Sequence, residues 1–246
     1  MTALQFSDLT LGYDRHPAVH HLNGTVEAGS LTAVVGPNGA GKSTLFKAIV
    51  GAVKPLAGRV ERNGFAARDI GYLPQVADID RSFPIAVYDM VAMGLWRRKG
   101  VFGGIGRDDH AAIEAGIAAV GLTGFEQRVI GTLSGGPMQR MLFARLLVQD
   151  ARIIVLDEPF TAIDTKTAED LMHLVRRWHA ERRTVLAATH DIELVRAAFP
   201  HTLLLAREPI AWGATREVLT AENIEKARRM CEAFDEAAAA CVRAAA

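Results

Sequence analysis

The 246-residue sequence predicts an α/β fold in which a largely parallel sheet is covered by helices on both faces. Short apolar runs mark the predicted strands, and several are continuous rather than alternating, as expected of parallel strands buried on both faces. Helical patterns fall between these runs, and a glycine-rich loop joins one strand to the helix that follows it. These observations together indicate a doubly wound core.

The predicted elements alternate along the chain. An N-terminal stretch with Leu4, Phe6, Leu9 and Leu11 is strand-like. The other predicted strands are 31–35, 58–60, 69–73, 153–156, 184–188 and 202–206. The predicted helices of this core are 44–50, 167–178 and 192–198, with a further helix at about 221–234.

Residues from about 76 to 132 interrupt this alternation. They lack a strong strand, and two helical patterns, 87–96 and 110–122, flank a basic, glycine-rich loop at 97–106. We therefore predict a small helical subdomain inserted into a single domain of residues 1–220, whose core comprises 1–75 and 133–220. The C-terminal helix and an alanine-rich tail, 221–246, follow this domain.

Composition narrows the class of protein. Lys+Arg and Asp+Glu are equal at 28 each, so the chain lacks the basic excess typical of nucleic-acid binders. The longest apolar runs are strand-sized, and the N-terminus does not read as a secretion signal, so we expect a cytoplasmic chain without membrane spans. Cys231 and Cys241 lack metal-ligand spacing and are expected to be reduced thiols.

Residues 36–43 read GPNGAGKS and match the phosphate-binding P-loop pattern at every fixed position. Glycines let the backbone aim N–H groups at phosphates, Lys42 adds a positive charge, and the Ser43 hydroxyl is suited to ligate Mg²⁺. The loop follows an apolar strand and precedes a helix, whose N-terminus favours a bound anion. The predicted nucleotide-binding residues are Gly36, Pro37, Asn38, Gly39, Ala40, Gly41, Lys42, Ser43 and Thr44.

A second motif follows the apolar run 153–156, which ends in Asp157 and Glu158. In an open α/β sheet the ligand binds beyond the carboxyl ends of the strands, where these acids would lie. We expect Asp157 to hold Mg²⁺ and Glu158 to polarise the water that attacks the γ-phosphate. Together the two motifs predict a bound nucleoside triphosphate, ATP or GTP, with Mg²⁺; the resemblance described next implies ATP.

The segment Leu133-Ser134-Gly135-Gly136, followed by Gln139-Arg140 and a helix, lies shortly before the two acids. With these motifs, residues 3 to about 220 resemble the ATP-binding cassette (ABC) ATPases, whose fold has a mixed sheet core, an inserted helical subdomain and an N-terminal antiparallel β region. In that family Ser134, Gly135 and Gly136 would cap ATP held by a second copy of the chain. Pro137 departs from the usual glutamine, but proline is tolerated in the first turn of a helix, so we expect activity to survive.

The resemblance implies roles for further residues. Tyr13 would stack on adenine, although alone it reads as a surface tyrosine. Gln75 would contact Mg²⁺ and the attacking water, and His190, otherwise more typical of a structural histidine, would contact the γ-phosphate. Asp164 ends the family's D-loop. Glu158, His190 and Gln75 are thus the expected catalytic residues, and Ser43, Gln75 and Asp157 the expected Mg²⁺ contacts.

The resemblance also implies partners. Two copies would dock head to tail around two ATP molecules, forming a homodimer at the cytoplasmic face of the cell membrane. Separate integral membrane permease subunits would form the transport path, and a metal-binding solute-binding protein would act through them.

The cargo does not follow from the chemistry of an ATPase chain, but the stretches GYLPQ, SFPIAVYDMVAMG and LDEPFTAID look most like divalent-metal importers. The segment LDEPFTAIDTKTAEDL looks closest to zinc importers. Alternative cargoes are manganese, an iron chelate or cobalamin. A soluble ATPase of iron–sulfur cluster assembly is a second class of alternative, whereas the compact spacing argues against a DNA-repair ATPase.

Overall fold

The computed structural model describes residues 1–13, 16–100 and 103–232. Its strands are β1 (Thr2–Tyr13), β2 (His16–Glu27), β3 (Leu31–Val35), β4 (Ala57–Glu61), β5 (Ile70–Leu73), β6 (Ile153–Asp157), β7 (Thr184–Thr189), β8 (His201–Ala206) and β9 (Glu208–Ala214). Its helices are α1 (Lys42–Ile49), α2 (Val87–Ala92), α3 (Trp96–Lys99), α4 (Arg107–Ala119), α5 (Gly135–Gln149), α6 (Thr165–Ala180), α7 (Ile192–Ala198), α8 (Thr215–Val218) and α9 (Ala221–Glu232). The predicted alanine-rich tail and Cys241 lie outside the described residues.

The strands form two sheets, which confirms the predicted fold class. The N-terminal sheet is antiparallel with order β2-β1-β4, and the other sheet has six strands in the order β5-β6-β7-β3-β8-β9. In the larger sheet β3 pairs with β8 and β5 with β6 in parallel, whereas β9 returns antiparallel to β8. The antiparallel edge strand explains why the sheet is mixed rather than purely parallel.

One compact unit consists of the described residues of Met1–Ala67 and Leu186–Ala246. It contains the N-terminal sheet, and every residue of β3 is buried. The largely apolar sequence of β3, which does not alternate with polar residues, is typical of a strand buried on both faces. Phe6 of β1 packs against Trp212 of β9, with ring centroids 5.9 Å apart.

The second unit, Arg68–Val185, contains β5, β6 and helices α2 to α6. Helix α5 lies at its centre and packs against α2 and α4. Phe143 of α5 stacks on Trp178 of α6, with ring centroids 5.6 Å apart and planes at 8°. Both aromatic side chains are almost completely buried, so they form a large part of this core.

The predicted helix 87–96 is not continuous, because close packing changes its geometry. After α2 the chain tightens into a 3₁₀ helix, Met93–Leu95, before α3 begins. A Cβ atom at Gly94 would lie 2.5 Å from the backbone oxygen of Arg145, so α5 approaches this segment more closely than any larger residue permits. The predicted loop 97–106 was also too long, since α3 extends to Lys99.

No helix within residues 1–13, 16–100 and 103–232 is both long enough and apolar enough to span a bilayer.

Candidate functional site

The P-loop connects β3 to α1 through backbone conformations that require glycine. Gly39 and Gly41 have φ values of 78° and 93°, in the left-handed region. A Cβ atom at Gly41 would also lie 2.4 Å from the backbone oxygen of Ala18, and one at Gly36 would lie 2.0 Å from that of Leu205. The backbones of β2 and β8 therefore lie in close contact with the loop. Glycine is required both by the backbone conformation and by the lack of space for a side chain.

The Lys42 side chain is held within this loop. Its Nζ donates hydrogen bonds to the backbone oxygens of Gly36 at 2.8 Å and Pro37 at 3.0 Å, and the side chain is buried. The loop is further tied down because Arg207 N–H donates to the backbone oxygen of Ala40 at 3.0 Å. The ammonium group thus lies at the N-terminal end of α1, where helix partial charge also favours an anion.

Tyr13 and His190 belong to the same compact unit as the P-loop. His190 directly follows β7 and lines a pocket of about 150 Å³ together with Gly36 and Pro37. The structure therefore brings the predicted histidine to the first residues of the phosphate-binding loop. Tyr13 ends β1 with 51% of its surface exposed, so its ring is accessible for stacking.

Asp157 and Glu158 are adjacent but differ in environment. Asp157 ends β6 with 0% exposure, and its Oδ2 accepts a hydrogen bond from the Tyr72 hydroxyl at 3.3 Å. Glu158 is half-buried and has a φ of 49°, which turns the chain away from the strand direction. The Thr161 hydroxyl lies 3.4 Å from Glu158 Oε2. A fixed buried carboxylate suits a cation ligand, whereas a more accessible one suits contact with water.

Gln75 lies at the same edge of the sheet as Asp157. It follows β5 by two residues, and β5 pairs in parallel with β6 so that Leu73 lies opposite Leu156. The half-buried Gln75 begins a 3₁₀ helix, Val76–Asp78, and its backbone oxygen accepts from Asp78 N–H at 2.9 Å. The structure therefore places at one edge of the sheet two residues that sequence motifs 82 positions apart predicted.

The signature segment forms the N-terminus of α5. Ser134 is the exposed N-cap residue, and its side chain makes no capping hydrogen bond to the helix. The first helical bond runs from Met138 N–H to the Ser134 oxygen at 3.1 Å. Pro137 precedes that bond, so its missing N–H has no intrahelical acceptor to lose. This geometry explains why the helix accommodates the proline.

The D-loop packs on the signature segment within the same unit. A Cβ atom at Gly135 would lie 3.0 Å from the backbone oxygen of Ala162, which has a φ of 57°. Asp164 has a structural task that the resemblance did not imply: its Oδ1 accepts from Thr167 N–H at 2.9 Å and caps α6. This hydrogen bond is the main reason that the pKa of Asp164 lies below its usual value.

Gln139 has no role that its sequence position predicts, yet it is the most deeply buried side-chain amide of the signature helix, α5. Its side chain is 1% exposed, and neither Nε2 nor Oε1 has a hydrogen-bond partner among the described residues. Gln139 follows Gly135 by four residues and therefore shares the helix face that Gly135 presents to Ala162. Burial of an amide in a helix cannot be detected in a single sequence.

The histidines of the described chain do not gather into a metal centre. In residues 1–13, 16–100 and 103–232, no group of three or more His, Cys, Asp or Glu side chains is placed to hold a metal ion. His21 instead pairs with Asp8 at 2.9 Å, and partial burial lowers the pKa of His20.

Comparison with known proteins gives the same family over most of the chain. The ABC transporter family model matches residues 19–161. The manganese transport system ATP-binding protein MntA of Synechocystis sp. is 39% identical over 214 residues, covering 85% of this chain and 82% of that protein. The zinc transport system ATP-binding protein TroB of Treponema pallidum is 37% identical over 229 residues, covering 92% and 86%.

A solved structure described as a metal-chelate type ABC transporter in an inward-facing conformation superimposes with a TM-score of 0.82 at 30% identity. The match covers 93% of this chain and 90% of that chain. The similar identities of the manganese and zinc relatives do not support the sequence-based preference for zinc over manganese. The family itself follows from the match to more than half of the chain: the protein belongs to the ATP-binding subunits of ABC transporters, which are ATPases.

Proposed function

We propose that this chain hydrolyses ATP to drive import of a divalent transition metal, zinc or manganese, through separate membrane subunits. The observation that carries ATP hydrolysis is the pair of adjacent carboxylates at the end of β6, one fully buried and one half-buried. The similarity to ATP-binding proteins of metal transport systems supports the cargo.

The phosphates of ATP would bind the P-loop, residues 36–44, with Lys42 supplying the positive charge. The two hydrogen bonds from Lys42 Nζ to backbone oxygens hold the ammonium group in the loop before ATP binds. This reduces the entropic cost of ordering the lysine side chain on binding. Tyr13 would stack on the adenine, and its exposure at the end of β1 supports this role.

Mg²⁺ would be held through Ser43, Gln75 and Asp157. Their hydroxyl, amide and carboxylate oxygens are ligands that Mg²⁺ prefers, and the buried Asp157 side chain is already oriented by a hydrogen bond. The ion would neutralise charge on the phosphates. Glu158 would orient and polarise the attacking water, and His190 would contact the γ-phosphate.

Ser134, Gly135 and Gly136 would cap ATP held by a second chain. The N-cap hydroxyl of Ser134 is not used in capping α5, and the N-terminus of this 15-residue helix favours an anion. A two-fold dimer of this kind has two equivalent sites, each completed by the partner copy. Asp164, which fixes the start of α6 behind Gly135, would support this surface.

Membrane permease subunits would provide the transport path, and a metal-binding solute-binding protein would deliver the ion to them. The chain would then act at the cytoplasmic face of the cell membrane and would not bind nucleic acid. Relatives also include a chelated iron transport system protein of Yersinia pestis, 35% identical over 229 residues, so an iron chelate is a further cargo to test.

The test is metal uptake by the source organism after deletion of the gene, grown under chelation and complemented with wild type or Glu158→Gln. We expect wild type, but not Glu158→Gln, to restore uptake of either ⁶⁵Zn or ⁵⁴Mn, and ⁵⁵Fe-chelate uptake serves as the comparison. Restored uptake of one isotope identifies the cargo. Equal uptake of all three in every strain, with no growth defect, would contradict the proposed metal import.

A further inference from the structure

We propose that Tyr72 is a positioning residue for the Asp157 carboxylate, and through it for the Mg²⁺ of the nucleotide complex. This inference rests on the proposed function, because it assumes that Asp157 holds Mg²⁺. It assigns a task to a residue that belongs to neither the P-loop nor the acidic motif.

The geometric evidence is the contact between neighbouring strands. Tyr72 is the third residue of β5 and lies opposite Val155 of β6, two residues before Asp157. Its hydroxyl donates to Asp157 Oδ2 at 3.3 Å. This is long for an O–H···O bond, as hydrogen bonds in catalytic sites often are before the substrate binds. The hydroxyl thus restricts the rotation of a carboxylate that is otherwise surrounded by the protein core.

Packing alone does not account for the tyrosine. The neighbouring strand residues Ile70 and Leu73 are buried, whereas Tyr72 is only half-buried. It lines a pocket of about 310 Å³ together with Met93 and Trp96. An apolar ring of the same size would cover this surface equally well, so the distinct contribution of the hydroxyl is its bond to the carboxylate.

Helix α5 holds the main chain of Tyr72 in place. Arg145 Nη2 donates to the Tyr72 backbone oxygen at 3.0 Å, and Gln149 Nε2 donates to the backbone oxygen of Ile70 at 3.0 Å. Two side chains of one helix therefore anchor β5 next to Asp157. A positioning residue needs a fixed backbone and a hydroxyl aimed at the carboxylate. Together they restrict the orientation of the carboxylate that would bind the metal.

The consequence for metal binding can be estimated. Residues that hold a metal-ligating side chain in place typically contribute about 10- to 100-fold to metal affinity or activity. Because the hydrogen bond from the Tyr72 hydroxyl to Asp157 is long, we expect the lower end of this range. The substitution should lower the affinity for Mg²⁺, whereas the affinity for the nucleotide without Mg²⁺ should not change.

The test compares Tyr72→Phe with Tyr88→Phe in the full chain. Both changes remove one phenolic oxygen, but the Tyr88 hydroxyl contacts His110 rather than Asp157. With a saturating non-hydrolysable ATP analogue, Mg²⁺ is titrated while the thermal unfolding midpoint is followed, since a bound ion raises it. The Mg²⁺ concentration for the half-maximal shift should rise about tenfold in Tyr72→Phe and stay within about twofold of wild type in Tyr88→Phe.

A double-mutant cycle with Asp157→Asn distinguishes a role that acts through the Asp157 carboxylate from a general loss of protein stability. Once the carboxylate is replaced, removing the Tyr72 hydroxyl should have no further effect on the Mg²⁺ response. If Tyr72→Phe responds to Mg²⁺ as wild type does, Tyr72 does not position the ligand. If wild type itself shows no Mg²⁺-dependent shift, the proposed Mg²⁺ site fails instead, so the two failures can be told apart.

Discussion

Two glutamines of helix α5 differ in how their amides are satisfied. Gln149 donates from Nε2 to the backbone oxygen of Ile70 at 3.0 Å, whereas Gln139 is 1% exposed and has no hydrogen-bond partner among the described residues. Burying an amide without a partner costs about 1–3 kcal/mol, because the water that it loses is not replaced. Gln139 is therefore a local source of instability beside the signature segment.

Replacing Gln139 by leucine should stabilise the protein by about 1 kcal/mol, since no hydrogen bond is lost and the desolvation cost disappears. For a chain of this size that corresponds to a thermal midpoint about 2–4 °C higher. Gln149→Leu is the matched control and should lower the midpoint, because it removes a donor to Ile70. A lower midpoint for Gln139→Leu would show that its amide makes a stabilising bond in solution.

At the scale of elements, Asp109 joins α3 to α4. Its carboxylate pairs with Lys99 Nζ at 2.6 Å and Arg98 Nη2 at 3.1 Å, and accepts from Gly106 N–H at 2.9 Å at the start of α4. The Lys99 hydrogen bond, followed by that from Gly106, lowers the pKa of Asp109. One buried carboxylate therefore stabilises both the C-terminus of α3 and the N-terminus of α4.

Because the folded-state pKa of Asp109 is lowered, its contribution to stability is fully present above the ordinary aspartate pKa of about 3.9. It is lost as pH falls through the lower folded value. Asp109→Asn should reduce the thermal midpoint at neutral pH, and the gap to wild type should narrow below about pH 4. The exposed neighbour Asp108 provides the control, since Asp108→Asn should have little effect. A gap independent of pH would exclude a charge-based role for Asp109.

The sequence predicted those strands whose residues have a pattern typical of a buried strand. β3 and β6 are almost entirely apolar and buried throughout, and they were predicted within about one residue of their observed bounds. The residue pattern did not predict β2 or β9. β2 carries histidines, asparagine and glycine, and β9 contains proline and glycine, so neither has a strand-like pattern. Their pairing with β1 and β8 is a tertiary effect that overrides local preference.

The same distinction applies to the candidate site. The P-loop glycines were predictable because backbone conformation and close approach dictate their identity, as Gly41 illustrates. The Tyr72–Asp157 hydrogen bond was not predictable, since the two residues are 85 positions apart and meet only when β5 pairs with β6. Sequence motifs thus predicted candidate reacting groups, whereas a contact between side chains of two different strands was not predictable.

For the whole molecule, we propose that two copies of the chain close around ATP. Ser134 is exposed at the N-terminus of α5, as a residue that contacts a ligand bound to a partner must be. ATP would then stabilise the dimer by mass action, and hydrolysis would release it. Blocking hydrolysis while preserving ATP binding should therefore trap the dimer.

The most direct measurement is the molar mass of Glu158→Gln by light scattering, with and without Mg²⁺ and ATP, alongside its rate of ATP hydrolysis. We expect a monomer without nucleotide, a dimer of twice the 26.6 kDa chain mass with ATP, and hydrolysis reduced at least about 100-fold. Adding Ser134→Arg, which places a bulky side chain at the signature surface, should abolish the dimer but not ATP binding. A Glu158→Gln variant that remains monomeric with ATP and hydrolyses it at the wild-type rate would contradict the proposed ATP-driven dimer and the proposed role of Glu158.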